Sequence, residues 1–200
     1  MKLAAVLLLA ALAARAEIAI VIETEAGIIE ATLDDRRAPV TVANFLRYVD
    51  AGHYLGGAFY RTVRSKPDNQ PMSPVKIDVI QAGIKPGTKD PYPPIALERT
   101  SQTGLLHTDG ALSMARGDKA GSATSSFFIC VGAQPSLDFG GKRNPDGQGF
   151  AVFGRVTKGM DVVRRIHAAP AGPTGSGAAA VAQGDQRLTP FYAIRAIRRK

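Results

Sequence analysis

Cysteine is nearly missing from this 200-residue chain. Cys130 stands alone, so neither an intramolecular disulfide framework nor a multi-cysteine zinc site can be built. Histidine is scarce too: His53, His107 and His167 lie far apart and none belongs to an HExxH pattern, which argues against a histidine metal cage. Beyond the first sixteen residues no stretch is long and apolar enough to span a bilayer. Several enzyme signatures are also lacking. There is no GxSxG nucleophile elbow, and residues 117–125, though small and polar, do not have the spacing of a phosphate-binding P-loop. Asp138-Phe139-Gly140 coincides with a kinase tripeptide, but the chain has no HRD loop and is too short for that fold. Residues 144–149 lack the alternating oxygen ligands of a calcium loop. No metal and no cofactor is expected.

What is present is ordinary globular material. Hydrophobic residues make up 45% and charged residues 21%, enough to build one domain with a core and to exclude disorder over the whole chain. The 21 glycines and 13 prolines favour many turns and short strands. The formal charge of +8 is spread along the chain, apart from Arg198-Arg199-Lys200 at the end, and no aromatic-rich RNA-binding signature accompanies it. Charge of this kind aids solubility and does not establish nucleic-acid binding, which is not expected.

Residues 1–16 read MKLAAVLLLAALAARA: Lys2, an unbroken apolar run, then the small-x-small pattern Ala14-Arg15-Ala16. This is the pattern of a secretory signal peptide, too short to span a membrane comfortably. Removal of the first 16 of 200 residues would leave 184, beginning at Glu17. The expected organisation is a signal peptide over 1–16 and one domain over 17–200, exported to the periplasm or beyond and not inserted in a membrane.

The remaining pattern is dominated by short strands. Alternation over 17–24 and 28–33 around Gly27 predicts a hairpin. Val42, Phe45, Leu46 and Val49 recur at helical spacing, with Thr41 placed to N-cap that helix. Residues 58–63, 75–81, 111–115, 127–131, 150–156 and 191–197 read as strands. Residues 64–74 read as a polar loop, 86–109 as mostly loop, 159–167 as a second short helix and 168–184 as an Ala/Gly/Pro-rich mobile loop. Many strands and two helices point to an all-β barrel or sandwich. Cys130, inside an apolar run, reads as an inert core thiol.

Three separated blocks go further. Ala38-Pro39-Val40-Thr41-Val42-Ala43-Asn44-Phe45 with Phe59-Tyr60-Arg61 forms the first, and Val79-Ile80-Gln81-Ala82-Gly83 the second. The third is a series: Gly110-Ala111-Leu112-Ser113-Met114-Ala115, then Ser125-Ser126-Phe127-Phe128-Ile129-Cys130, then Phe150-Ala151-Val152-Phe153-Gly154-Arg155-Val156. In this order they resemble the cyclophilin family of peptidyl-prolyl cis–trans isomerases. The resemblance implies a closed eight-stranded antiparallel barrel capped by two short helices, acting as a monomer on proline-containing polypeptides and assisting the folding of exported proteins. It matches Arg61 to the family's catalytic arginine and Gln81 to the glutamine that positions the substrate backbone. It matches Phe128 to the floor of the proline pocket and Val79 and Leu137 to its walls. Phe150 falls where many members carry His or Tyr, and Ala115 and Arg116 match the pair whose backbone meets the substrate chain. Four positions depart from the family pattern: Tyr60, Asp78, Ser126 and Ser136. The interval from Arg61 to Gln81 is about a dozen residues longer than usual. A non-catalytic proline-peptide binding or chaperone module on the same scaffold is the alternative.

Overall fold

The computed structural model describes residues 17–173 and 185–200. The proposed signal peptide and most of the expected Ala/Gly/Pro loop lie outside these residues. The chain runs through β1 (Ile18–Thr24), β2 (Gly27–Leu33), α1 (Pro39–Asp50), β3 (Ala58–Val63), β4 (Val79–Gly83), α2 (Thr100–Thr103), β5 (Ala111–Met114) and β6 (Phe127–Cys130). It continues through β7 (Ala151–Lys158), α3 (Met160–Ala168), β8 (Ala171–Gly172) and β9 (Arg187–Arg199). Neighbouring strands follow the order β1-β2-β7-β5-β6-β4-β3-β9, every pair antiparallel, and β1 pairs back onto β9. Eight strands therefore close a barrel with no free edge, and β8 adds a two-residue ribbon outside β9.

Period-two alternation divides the strands between two apolar environments. Ile20, Ile22, Ile29, Leu33, Phe59, Ile80, Leu112, Phe127, Ile129 and Phe153 point inward and share one core. The longer helices cap that core with their apolar stripes, α1 through Val42, Phe45, Leu46 and Val49 and α3 through Val162, Val163 and Ile166. Phe45 is the keystone: its ring meets Tyr54 at 5.3 Å, Phe127 at 5.4 Å and Phe153 at 5.1 Å. Truncating such a ring to alanine typically costs about 3–5 kcal/mol. The hairpin forms where expected. Gly27 has φ +135, and a Cβ there would lie 2.9 Å from a Val162 methyl, so both backbone and packing call for glycine.

The local expectations fail at three places. Thr41 does not N-cap α1: the helix starts at Pro39, and the Glu98 carboxylate receives the Val40 N–H at 3.0 Å, the Thr41 N–H at 2.8 Å and the Thr41 hydroxyl at 2.6 Å. The cap is supplied from a distant loop. A one-turn helix, α2, sits inside the segment expected to be loop. The last strand begins at Arg187 and spans 13 residues, well before the apolar run that signalled it.

Candidate active site

A second, smaller apolar cluster lies on the outer face of the barrel, built from Val63, Ile77, Val79, Ala111, Phe128, Cys130, Leu137 and Val152. Alternation in β6 assigns its two phenylalanines: Phe127 points into the core and Phe128 outward into this cluster. The register then draws a line across the sheet. Arg61 of β3 faces Gln81 of β4, Gln81 faces Phe128 of β6, Phe128 faces Ser113 of β5, and Ser113 faces Val152 of β7. Strands about 4.8 Å apart thus bring a guanidinium, an amide and an aromatic ring from distant sequence positions into one row.

A bulge makes this possible. Phe59 pairs with Ala82 and Arg61 with Gln81, so Tyr60 is an extra residue on β3. Without it, Arg61 would follow Phe59's alternation in the wrong register with β4. With it, Tyr60 and Arg61 both reach the outer face, the re-aiming that bulges produce.

Arg61 is held tightly. Its Nη1 donates to Gln81 Oε1 at 2.8 Å, while Nε and Nη2 both donate to Gln186 Oε1 at 2.8 and 2.6 Å. Gln81 Nε2 donates to the Tyr60 hydroxyl at 2.7 Å, which donates to Ser126 Oγ at 3.2 Å. Burial pulls the Arg61 pKa down, but arginine starts so high that it stays charged. Both of its partners are neutral amide oxygens, so its positive charge is oriented without being cancelled.

The cavity beside Arg61, about 210 Å³, is lined by Val79, Gln81, Phe128, Leu137, Phe150, Ala115 and Arg116, all of them expected from sequence. The Phe150 ring meets Phe128 edge-on at 5.4 Å. Leu137 reaches in from a 3₁₀ turn at Pro135–Leu137. Arg116 lies over the Phe150 ring, 5.1 Å from its centroid, and its Nη2 donates to Asp146 at 2.8 Å. Three further lining residues were not anticipated: Ile77, Arg143 and Asn144. A second cavity, about 340 Å³, opens on the other side of Tyr60 and Arg61, between residues 84–90, Ser125, Ser126, Arg187 and Phe191. Arg61 therefore stands between two hollows.

Behind the pocket floor, His107 stacks on Phe128, ring centroids 5.8 Å apart and planes 10° apart. Its Nδ1 lies 2.7 Å from Asp138 Oδ1 and its Nε2 lies 3.0 Å from Ser113 Oγ. The carboxylate fixes the proton on Nδ1, leaving Nε2 to accept the serine hydroxyl. The order Asp–His–Ser suggests a nucleophile, but Ser113 is 0% and His107 2% exposed, so no substrate reaches that hydroxyl. The chain braces Phe128 from behind. Cys130 is buried beside it, its thiol pKa pushed well up by burial, which agrees with an inert core thiol.

The long interval between β3 and β4 is a stitched unit. Asn69 accepts the Arg64 N–H at 2.7 Å and donates to Thr62 O and Asp185 O, each at 3.0 Å. Asp78, one of the departures from the family pattern, holds the Ser65 N–H and hydroxyl at 2.9 and 2.6 Å. Gln186 Nε2 donates to Asn69 O at 3.0 Å, so this loop also supports the residue that holds Arg61.

The family profile for cyclophilin-type peptidyl-prolyl cis–trans isomerases matches residues 19–186. Peptidyl-prolyl cis–trans isomerase A of Dickeya dadantii is 38% identical over 156 residues, 78% of this chain and 74% of that protein. Isomerase cyp18 of Streptomyces antibioticus is 36% identical over 72% of this chain and 80% of its own length. Isomerase B of Escherichia coli is 35% identical with the same coverage of both chains. Among solved structures, a Cryptosporidium parvum cyclophilin-type isomerase superposes with a TM-score of 0.66 at 19% identity, covering 92% of this chain and 98% of that one. The same protein was also solved in the presence of the dipeptide Ala-Pro.

Proposed function

Because the chain belongs to the cyclophilin-type peptidyl-prolyl cis–trans isomerases, we propose that it turns X–Pro bonds in the Phe128 pocket, with Arg61 as the catalytic residue. The observation that carries this reading is the cross-strand row of Arg61, Gln81 and Phe128, with Arg61 fixed between two amide oxygens.

An X–Pro amide resists rotation by about 18–20 kcal/mol because its C–N bond is conjugated. At the twisted transition state conjugation is lost and the proline nitrogen regains a lone pair. The pyrrolidine ring rests on Phe128 between Val79 and Leu137, and the Arg61 guanidinium meets the nitrogen lone pair. That contact is stronger in the twisted state than in either planar isomer, so it lowers the barrier. The second Nε2 hydrogen of Gln81 is available to a substrate carbonyl, and Ala115 and Arg116 line the same cavity. A ~10⁵-fold acceleration needs about 7 kcal/mol. One charged hydrogen bond is too small for that, so ring burial and backbone contacts contribute the rest. No bond forms or breaks and no proton moves.

Residues 1–16 support a further part of the reading: export, with the isomerase acting on other exported chains. NMR exchange spectroscopy on a short Ala-Pro peptide tests the catalytic assignment. Wild type should accelerate exchange, and Arg61→Ala should lower kcat/KM by ~10²–10³, the scale of losing one preorganised donor. Equal rates in the two folded proteins would favour a binding module instead. Intact mass of the secreted protein tests export: the chain should begin at Glu17, and a mass that includes residues 1–16 would sink it.

A further inference from the structure

We propose that Arg143 is a specificity-determining residue that selects substrates bearing a carboxylate next to the bound proline, either an acidic side chain one residue away or the terminal carboxylate of a chain ending in proline. The proposal rests on the isomerase reading of the same pocket and says which X–Pro segments that pocket prefers.

Arg143 lines the proline cavity together with Arg61 and Arg116. Among the described residues, no acidic side chain lines it. The three cations are not equivalent. Arg116 is paired with Asp146 at 2.8 Å and also donates to the carbonyls of Gly149, Gly117 and Asp118. Among the described residues, Arg61 is held by two amide oxygens. Arg143 is held by the loop between β3 and β4: its Nη1 donates to Gln70 Oε1 at 2.8 Å, Ser73 Oγ at 2.6 Å and the Val75 carbonyl. These acceptors carry no charge. Its own backbone N–H is fixed on Ser136 O at 3.1 Å.

Two features follow. Among the described residues only Nη1 of Arg143 is engaged, so Nε and Nη2 remain as donors on a side chain whose orientation is already set. Among the described residues, no carboxylate pairs with either of the pocket's other two positive charges, Arg61 and Arg143. They are close enough to feel each other: after burial, the charge of Arg61 is what lowers the Arg143 pKa. Two like charges held by neutral oxygens at one cavity raise the potential there, and an incoming carboxylate relieves their repulsion while pairing with the planar fork of Arg143. The loop is what makes this a built feature. It surrounds Nη1 with three acceptors, and Gln70 is anchored in turn on Arg64 O and Ile77 O, each at 2.8 Å.

The test compares peptides that differ only in charge. NMR exchange is run on Ala-Pro peptides carrying Glu or Gln immediately before or immediately after the proline. Dipeptide titrations compare Ala-Pro, with its free carboxylate, with Ala-Pro amide, and so separate a terminal carboxylate from a side-chain one. Wild type should favour the Glu peptide in at least one position, or the free dipeptide over the amide, by roughly fivefold to tenfold at low salt, and the ratio should shrink as ionic strength rises. Within Arg143→Gln the ratio should fall to within twofold, and Arg143→Lys should restore part of it. The ratio is read inside each variant, so a general change in activity does not imitate the effect. If Arg143→Gln does not fold, the wild-type ratios, their salt dependence and Arg143→Lys still decide. Normal turnover with no carboxylate preference in wild type would overturn the proposal and leave the isomerase reading standing. A preference that persists in Arg143→Gln would equally overturn it. Absence of turnover on every peptide would count against the isomerase reading, and the dipeptide ratio would then decide the carboxylate site by itself.

Discussion

Replacing Gln186 by leucine separates holding Arg61 from having it. Gln186 is 2% exposed, and its side chain does two jobs: Oε1 receives two donors of Arg61, and Nε2 donates to Asn69 O. Leucine fills similar space with neither. Hydrogen bonds to charged groups contribute about 1.5–3 kcal/mol each, but the cavity beside Arg61 admits water that recovers part of this. A net loss of about 2–3 kcal/mol is expected. At about 2–4 °C per kcal/mol for a chain of this size, the melting temperature should fall by roughly 4–12 °C. The kinetic effect is set by how often the guanidinium still occupies its productive position. With only Gln81 left to hold it, occupancy of about one part in ten lowers kcat about tenfold, less than the ~10²–10³ expected for removing the donor. KM should change less than twofold, because the Phe128 pocket is intact and the Arg61 contact strengthens mainly on twisting. Gln186→Glu is the companion. It preserves acceptors for Arg61 but places a negative charge on the guanidinium, so kcat should fall although Arg61 stays in place. Line-shape or exchange NMR over a peptide concentration series gives kcat and KM, and calorimetry gives the melt. A lower melting temperature with kcat unchanged in Gln186→Leu would refute the reasoning, leaving Gln186 a structural residue only.

Three further outcomes are expected. Glu98→Ala removes all three hydrogen bonds that Glu98 accepts from the start of α1, so thermal melts should drop by about 2–8 °C for ~1–2 kcal/mol, with kcat/KM unchanged. His167 is held below its ordinary pKa of 6.5 by burial, against the opposing pull of Val63 O and Asp78. The unfolded chain therefore takes up the proton first, so stability is full above about pH 6.5 and declines as pH falls below it; melts at pH 5.5 should lie below those at pH 7.5, and His167→Gln should flatten that difference. Cyclosporin should bind weakly: Ser136, one of the four departures, stands where the resemblance places a tryptophan that often contacts this drug, and its side chain offers neither indole surface nor an indole N–H; nanomolar affinity by titration calorimetry would contradict this.

What the sequence disclosed and what it hid follow from distance along the chain. Strand alternation is local, so Phe127 and Phe128 had to face opposite sides, and the ordered blocks told which residue of each strand belonged to the pocket. The bulge at Tyr60 is a property of the pairing between β3 and β4, visible only once Phe59 faces Ala82 and Arg61 faces Gln81. Gln186 precedes the apolar run of β9 and lies 125 positions from Arg61; nothing nearby marks it. Thr41 carried a sound local signal for a helix cap, and a carboxylate from another loop displaced it. Arg143 sits in a glycine-rich connection where an arginine reads as solvated surface, and only the folded loop before β4 gives it neutral acceptors. Most residues lining the cavity, Arg61 and Gln81 among them, were legible; Gln186, which also holds Arg61, and Arg143, which adds charge, were not.

The pairing of β9 with both β1 and β3 sets an order of assembly. Without β9, the other seven barrel strands would leave β1 and β3 each with a row of unpaired amides and carbonyls. These contacts join residues far apart in the chain, the kind of pairing whose loop-closure cost slows folding. An open ribbon with two adhesive rims can also pair with other chains. A member of a family of prolyl isomerases thus covers its own exposed edges only when its last barrel strand is in place.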